Sequence, residues 1–310
     1  MKIITLTINP AVDKSARVDG LSPEQKLRCH SLKYQAGGGG INISRVLKRL
    51  NVDTSCIFTS GGSNGEFIQQ ELEKSAIHAI PVFLKSWTRE NLSVVDTKTN
   101  LQYRFGMPGP KILEDEIKLL NKTIHEIISF GDILAISGSL GEGIPFNFYA
   151  ELIRGLATKE IKVILDTSGD ALVASLKEKV YLIKPNQKEL AQLAGKEWLN
   201  ADEQEGFCKE LVQSEQVKFI VVSLGGRGAF IVSKDGINYL TPPPVKVMST
   251  IGAGDSMLAG IIYGLTKNET QQNILKWGVA CGTATTMEEG TDLAQVENID
   301  AVIKFLDKQK

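Results

Sequence analysis

The sequence predicts an α/β fold. A mostly parallel central sheet is covered by helices on both faces, a three-layer αβα sandwich, and a small β-sheet lid projects from it. Three observations carry this expectation. From about Gly131 onward, short apolar runs alternate with helical stretches, the pattern of parallel strands joined by crossover helices. Two segments, about 10–35 and 85–106, instead alternate apolar and polar residues without a long helix. The 310 residues, 42% hydrophobic and 23% charged, are enough for a large core. The chain reads as one domain over 1–310, with a discontinuous lid formed by the two β segments.

Taken in order, "MKIITLTINP" opens as a strand and is too short and too strand-like for a signal peptide. "GGGGINISRVLKRLN" and "GGSNGEFIQQELEKS" each open a helix. "LSVVDTKTNLQYRF" reads as a hairpin turning near Asn100. Then come "DILAIS" as a strand, a helix around 145–157, "KVILD" and "VYLIK" as strands, and helices from about Gln187 and over 202–214. "VKFIVVSLG" is a further strand. Open sheets of this kind bind ligands at the carboxyl ends of their strands. The residues there are Ser137 to Ser139, Asp166, Lys184, and Ser223 to Gly228. Apolar residues on both faces of the lid call for a partner, and a second copy of the lid supplies one, so a homodimer is expected.

Composition excludes several classes. The net charge of -1 gives no electrostatic case for nucleic acid or an acidic membrane surface. No apolar stretch approaches the length of a membrane span, and the expected location is the cytoplasm. Cys29, Cys56, Cys208 and Cys281 lie far apart, and His30, His78 and His125 have no ligand spacing, so neither a zinc site nor a disulfide framework is expected. A G-x-x-x-x-G-K-[ST] loop is absent, as is a G-x-G-x-x-G after the first strand.

The chemistry concentrates in "STIGAGDSMLAG", Ser249 to Gly260. The residues after Asp255 are apolar on nearly every face, which reads as a buried helix. Gly252, Ala253 and Gly254 let a backbone approach closely, and free N–H groups at a helix start favour an anion. Asp255 is then either an ordinary N-cap or a base held beside an anion hole. "KPNQKEL" places Lys184, Asn186 and Glu189 at a strand exit. Asn186 and Glu189 alone make an ordinary capping box. "SLGGRG", with Ser223, Gly225 and Gly228, suits a nucleotide-phosphate loop. Lys26, Arg89 and Arg104 fall in the lid segments, either as surface charges or as phosphate ligands.

These stretches carry a resemblance. "STIGAGDSMLAG" and "AGGGGINISRVLKRL" resemble the two signatures of the ribokinase-like (PfkB) carbohydrate kinases, and "KPNQKEL" resembles their N-x-x-E magnesium motif. The match runs over essentially the whole chain in the right order. It is strongest to the family's 6-phosphofructokinase branch, in "KLRC", "WTRENL", "RFGMPGP", "SGSL" and "PPPVKVMSTIGAGDSM".

The resemblance implies a ribokinase-like fold, ATP and Mg2+ as cofactors, and a role for each motif position. Asp255 would take the proton from the attacking sugar hydroxyl, with Gly252, Ala253 and Gly254 holding the transferred phosphoryl. Lys184 would contact nucleotide phosphates, Asn186 and Glu189 would orient hydrated magnesium, and Ser223, Gly225 and Gly228 would line the nucleotide site. Asp13, Gly38, Gly39 and Asn42 would grip sugar hydroxyls. Lys26, Arg89, Arg104 and Ser139 would surround the sugar phosphate. A monovalent cation, K+ among the candidates, would take oxygens, largely backbone, from Ser249, Ile251, Thr285, Glu288, Gly290 and Asp292. Two departures stand out: Gly141-Glu142 follow "SGSL" where relatives often have Pro, and Glu288 and Asp292 bring negative charge near the cation position.

The implied activity is ATP-dependent phosphorylation of fructose 6-phosphate at its C1 hydroxyl. Tagatose-6-phosphate kinase and 1-phosphofructokinase are the alternatives; such relatives commonly carry a lysine in the glycine run, and none stands between Gly37 and Gly40. A non-catalytic sugar or nucleotide sensor on the same fold is the alternative of another class. Retention of Asp255, the whole anion hole and Glu189 argues against it.

Overall fold

The computed structural model describes residues 1–308. In chain order the elements are β1 (Ile3–Thr7), β2 (Ala11–Val18), β3 (Cys29–Gly37), α1 (Gly39–Arg49), β4 (Ser55–Ser60), α2 (Gly62–Lys74), β5 (His78–Phe83), β6 (Arg89–Asp96), β7 (Gln102–Gly106) and α3 (Glu114–Ile127). They continue with β8 (Ile133–Ser137), α4 (Phe148–Leu156), β9 (Lys162–Asp166), α5 (Gly169–Ser175), β10 (Val180–Ile183), α6 (Gln187–Leu193), α7 (Ala201–Gln213) and β11 (Val217–Ser223). Last come β12 (Ala229–Ser233), β13 (Gly236–Leu240), α8 (Ala253–Thr266), α9 (Gln271–Thr286) and α10 (Val296–Asp307).

The main sheet has nine strands in the order β13-β12-β11-β10-β9-β8-β1-β4-β5. Strands β5 through β11 pair in parallel, while β12 and β13 close the edge as an antiparallel hairpin. A parallel strand covered on both faces must be apolar on both, and every residue of β1 and β8 is buried. Alternate residues of β8 point opposite ways. Leu134 and Ile136 join Leu120, Ile124, Tyr149 and Leu152 of the α3 and α4 layer. Ile133 and Ala135 join Val46, Leu258, Ile261 and Val279 of the α1, α8 and α9 layer. The α8–α9 contact is close because Gly260 faces the carbonyl oxygen of Trp277, where a Cβ would sit 2.2 Å away. Helix α8 is buried from Ser256 to Leu265 apart from Tyr263, as its apolar pattern requires.

The two distant β segments form a separate four-stranded sheet in the order β3-β2-β6-β7. Its hairpin β6–β7 turns at Asn100, which takes φ 60. Strand register defines two different faces. Lys33, Ser15, Ser93 and Arg104 lie in one row facing the main body. Tyr34, Lys14, Leu92 and Phe105 lie in the opposite row, and Leu32, Tyr34, Tyr103 and Phe105 are exposed. The apolar character that sequence alternation places on both faces is therefore concentrated on the outward face. The body-facing side is polar because it borders a cleft. No helix among the described residues is long and apolar enough to cross a membrane.

Candidate active site

The cleft opens at the carboxyl ends of β8 to β11, between the main sheet and the four-stranded sheet. Asp255 is not the N-cap of α8. That position is Gly252, at φ 73, with no side-chain cap, so Asp255 is the third helical residue and its carboxylate is free for other partners. Asn42 Nδ2 donates to its Oδ2 at 2.9 Å, and Ser137 Oγ donates to its Oδ1 at 3.4 Å. Burial pushes the carboxyl up to about 6, the nearby Asp166 carboxylate adds to the rise, and Asn42, Lys184 and Ser137 oppose it. The amides of Gly254 and Asp255 find no backbone acceptor among the described residues, as expected in the first turn of a helix. Gly252 is required twice: φ is positive, and a Cβ would meet Leu293 Cδ2 at 2.5 Å.

Lys184 lies beside this turn at 6% exposure, its Nζ 3.3 Å from Asp166 Oδ1. A Cβ on Gly254 would be 3.4 Å from the same Nζ. Burial pulls the ammonium down, but the Asp166, Asp255 and Glu189 carboxylates outweigh it and hold its pKa above the ordinary value. A cation kept charged at a helix N-terminus is suited to phosphate oxygens.

Asn186 and Glu189 form a complete capping box: Asn186 Oδ1 accepts from the Glu189 amide at 2.9 Å and Glu189 Oε2 from the Asn186 amide at 2.8 Å. Glu189 Oε1 has no hydrogen bond among the described residues. Glu189 lines the same cleft as Asp166, Ser137, Gly39, Ser139 and Asp255, so the capping and cleft positions coexist. Among the described residues no group of three or more His, Cys, Asp and Glu forms a metal cage. Asp166 and Glu189 still fit a hydrated magnesium ion, which keeps several waters and uses one or two carboxylates together with substrate phosphates.

Two cavities flank the Gly252–Asp255 turn. One, of about 380 Å³, is lined by Ser223, Gly225, Gly228, Pro243, Val245, Ala253, Gly254, Met257 and Thr283. Its lining joins the Ser223–Gly228 loop to apolar Pro243, Val245 and Met257, a mixture that suits a base and its phosphates. The other, of about 300 Å³, is lined by Asp13, Arg89, Asn91, Arg104, Ile251 and Thr291. Asp13 Oδ1 accepts from Asn91 Nδ2 at 2.9 Å, and burial pushes the Asp13 carboxyl up against that bond and the Arg89 and Arg45 charges. Arg89 is anchored on the carbonyls of Met107 and Asn9, both at 3.1 Å. Arg104 Nη2 reaches Thr250 Oγ1 at 3.1 Å. Ser139 Oγ accepts from Asn9 Nδ2 at 3.2 Å. Gly38 is the N-cap of α1, and Gly39 lies so close to Ser137 that a Cβ would meet its Oγ at 2.0 Å.

Within one chain Lys26 stands apart from this group. It is exposed in the β2–β3 hairpin loop beyond the Val18–Cys29 pair. At 3.3 Å per residue that end of β2 lies about 23 Å from Ala11, the residue paired with Arg89. The six cation-loop residues divide. Ser249 Oγ donates to the Gly290 carbonyl at 2.6 Å, and Thr285 Oγ1 donates to Ser256 Oγ at 2.7 Å. Ile251 walls the smaller cavity. The Glu288 carboxylate accepts from Asn298 at 2.8 Å, and the Asp292 carboxylate is held by Lys33 and Gln35. That leaves main-chain oxygens as the ligand set for an ion there. Asp166 and Asn91 are the residues to which sequence reasoning gave no role. Asp166 stands visibly at a strand end, but only its contact with Lys184 explains it; Asn91 emerges only from the β2–β6 pairing.

A buried carboxylate at the first turn of a helix, a buried cation beside it, and a cavity next to each end of that turn suit a phosphotransferase acting on a small hydroxylic acceptor. The chain belongs to the pfkB family of carbohydrate kinases, whose family model matches residues 4–298. It is 38% identical over 309 residues to ATP-dependent 6-phosphofructokinase isozyme 2 of Escherichia coli K12, covering 99% of this chain and all of that protein. It is 30% identical over 288 residues to 1-phosphofructokinase of Bacillus subtilis 168, covering 93% of each. The solved structure of Escherichia coli phosphofructokinase-2 in complex with potassium superposes with a TM-score of 0.95 at 38% identity, covering 99% of both chains.

Proposed function

We propose that the protein transfers the γ-phosphoryl group of ATP to the C1 hydroxyl of fructose 6-phosphate, giving fructose 1,6-bisphosphate and ADP. The observation that carries this reading is the position of Asp255, held by Asn42 and Ser137 in the cleft it shares with Asp166 and Glu189, on a turn whose Ala253 and Gly254 line one cavity and whose neighbour Ile251 lines another that contains Arg89 and Arg104. Asp255 takes the proton as the C1 oxygen forms its bond to phosphorus and the bond to the ADP oxygen breaks. The free amides of the α8 first turn and the Lys184 ammonium receive the charge on the transferred oxygens, where positioned donors act most strongly. Glu189 and Asp166 would hold a hydrated magnesium ion, which would neutralise nucleotide phosphate charge. Asp13, Gly38, Gly39 and Asn42 orient the sugar, while Arg89, Arg104 and Ser139 receive its phosphate. Main-chain oxygens of the 249–251 and 285–292 segments would hold a K+ ion behind the turn.

The four-stranded sheet acts as a lid over the sugar. Its outward row, the exposed Leu32, Tyr34, Tyr103 and Phe105 with the half-buried Leu92, is covered by the same row of a second copy, giving a homodimer. Both substrates are intracellular metabolites, and we place the enzyme in the cytoplasm. Identity to a 1-phosphofructokinase favours a second reading, in which fructose 1-phosphate is the acceptor. Against it, the run Gly37 to Gly40 lacks a lysine. An ADP-release assay over fructose 6-phosphate, fructose 1-phosphate, tagatose 6-phosphate and sorbose 6-phosphate decides. Fructose 6-phosphate should have the highest kcat/KM, with tagatose 6-phosphate the nearer competitor. Equal or better use of fructose 1-phosphate overturns the choice of sugar, and no ADP release with any of the four overturns the reading itself.

A further inference from the structure

The body-facing side of the lid is tied to one short loop. Lys33 Nζ lies 2.9 Å from Asp292 Oδ2, Gln35 Nε2 donates to Asp292 Oδ1 at 2.7 Å, and Gln35 Oε1 accepts from the Thr291 hydroxyl. Arg17 Nη2 lies 2.8 Å from Glu289 Oε2. Lys33 and Gln35 are on β3 and Arg17 is on β2, the strand that carries Asp13 into the sugar cavity; Gln35 pairs directly with Asp13. The same loop is fastened on its other side to the anion turn, because Gly290 accepts from Ser249 Oγ and that oxygen in turn accepts from the Ile251 amide at 3.2 Å. The loop therefore joins the strands that hold the sugar to the turn that holds the transferred phosphoryl.

We propose that Asp292 and Glu289 are positioning residues that latch the lid through Lys33 and Arg17, and so set how Asp13, Arg89 and Arg104 stand over Asp255. A single exposed ion pair contributes little. Here two carboxylates in one loop engage three lid side chains, and both oxygens of the half-buried Asp292 are occupied. Their sum acts on one equilibrium, the seating of the lid, and a shift in that equilibrium scales the apparent affinity of whatever the lid covers. The sugar end should feel it, and the nucleotide cavity, which contains no lid residue, should not. The inference rests on the sugar-phosphate reading of the lid for its kinetic arm only.

Charge reversal and exchange in the full-length protein test it. Lys33→Glu and Asp292→Lys should each raise the KM for fructose 6-phosphate roughly three- to tenfold, with the KM for ATP unchanged within twofold; tenfold corresponds to about 1.4 kcal/mol. The double variant, with the pair exchanged, should return the sugar KM to within about twofold of wild type. Lys33→Ala, at an exposed position, should raise it about threefold and guards against misfolding of the reversals. Hydrogen exchange of the β2 and β3 amides supplies a readout without substrate: faster in each reversal, recovered in the exchange. If wild type does not use fructose 6-phosphate, the functional reading fails while this second readout still decides the latch. Unchanged exchange and sugar KM in the single variants, a rise that the exchanged pair does not recover, or a raised K+ requirement in Asp292→Lys with the sugar KM unchanged would each overturn the proposal.

Discussion

The floor of the cleft and the sheet that covers it are held by different forces. On the floor, Ser137 is 2% exposed and Lys184 is 6% exposed, and both stand at or just beyond the ends of strands buried on both faces. Asp255 is fixed by a helix whose start admits only glycine at Gly252. The covering sheet meets the body through a small apolar cluster, Val12 and Ala36 against Ile41, Phe58 and Ile68, and elsewhere through ion pairs and amide contacts between side chains that are largely exposed. Packing gives the floor groups one geometry, whereas the polar contacts of the covering sheet are individually weak. In the proposed mechanism the reacting atoms sit on the packed half and the sugar-phosphate contacts on the covering sheet, so damage to the floor should appear in kcat and damage to the lid in KM.

Gly252→Ala probes the floor at its tightest point. A Cβ would clash with Leu293 Cδ2, and the left-handed backbone is strained for alanine. The turn must shift, moving the Gly254 and Asp255 amides away from the transferred oxygens. Loss of one such donor costs about 10²–10³ in kcat, and the variant should show a fall of that size in single-turnover phosphoryl transfer, with a smaller change in the KM for fructose 6-phosphate. Arg104→Ala probes the lid. Its guanidinium is exposed and offers a planar fork to a phosphate. A rise in sugar KM of roughly thirtyfold or more is expected, because losing one partner of a desolvated charge pair costs about 2–5 kcal/mol, with the ATP KM moving little. A large kcat loss in Arg104→Ala with unchanged KM would reverse the division between the two halves.

The sequence made the floor readable because its signals are local. "STIGAGDSMLAG" showed a glycine turn, an acid and a buried helix within twelve residues. It could not choose between cap and base, since both use an acid at a helix start. The choice lay in whether Gly252 or Asp255 takes the N-cap. "KPNQKEL" posed the same alternative and the structure satisfies both sides of it, with the capping box formed and Glu189 still lining the cleft. The lid was readable only as two alternating segments. Alternation fixes that a strand has two faces but not which faces the body, because the register of β2 against β6 joins residues about 78 positions apart. That is why Asp292 was read only as a ligand and a negative charge near the cation position. Its partners Lys33 and Gln35 lie about 257 positions away.

The central claim, that Asp255 is the base, is tested most directly by the pH dependence of kcat/KM for fructose 6-phosphate in wild type and Asp255→Asn. The Asp255 carboxyl is pushed up to about 6 by burial. It is protonated and unable to accept a proton below that pH, and ionised above it. Wild type should lose activity as pH falls through about 6, approaching tenfold per unit below it. Asp255→Asn should keep nucleotide affinity, lose roughly 10²–10⁴ in kcat, and show no limb at that pH. A variant that retains most of wild-type turnover, or that keeps the same acidic limb, would contradict the account.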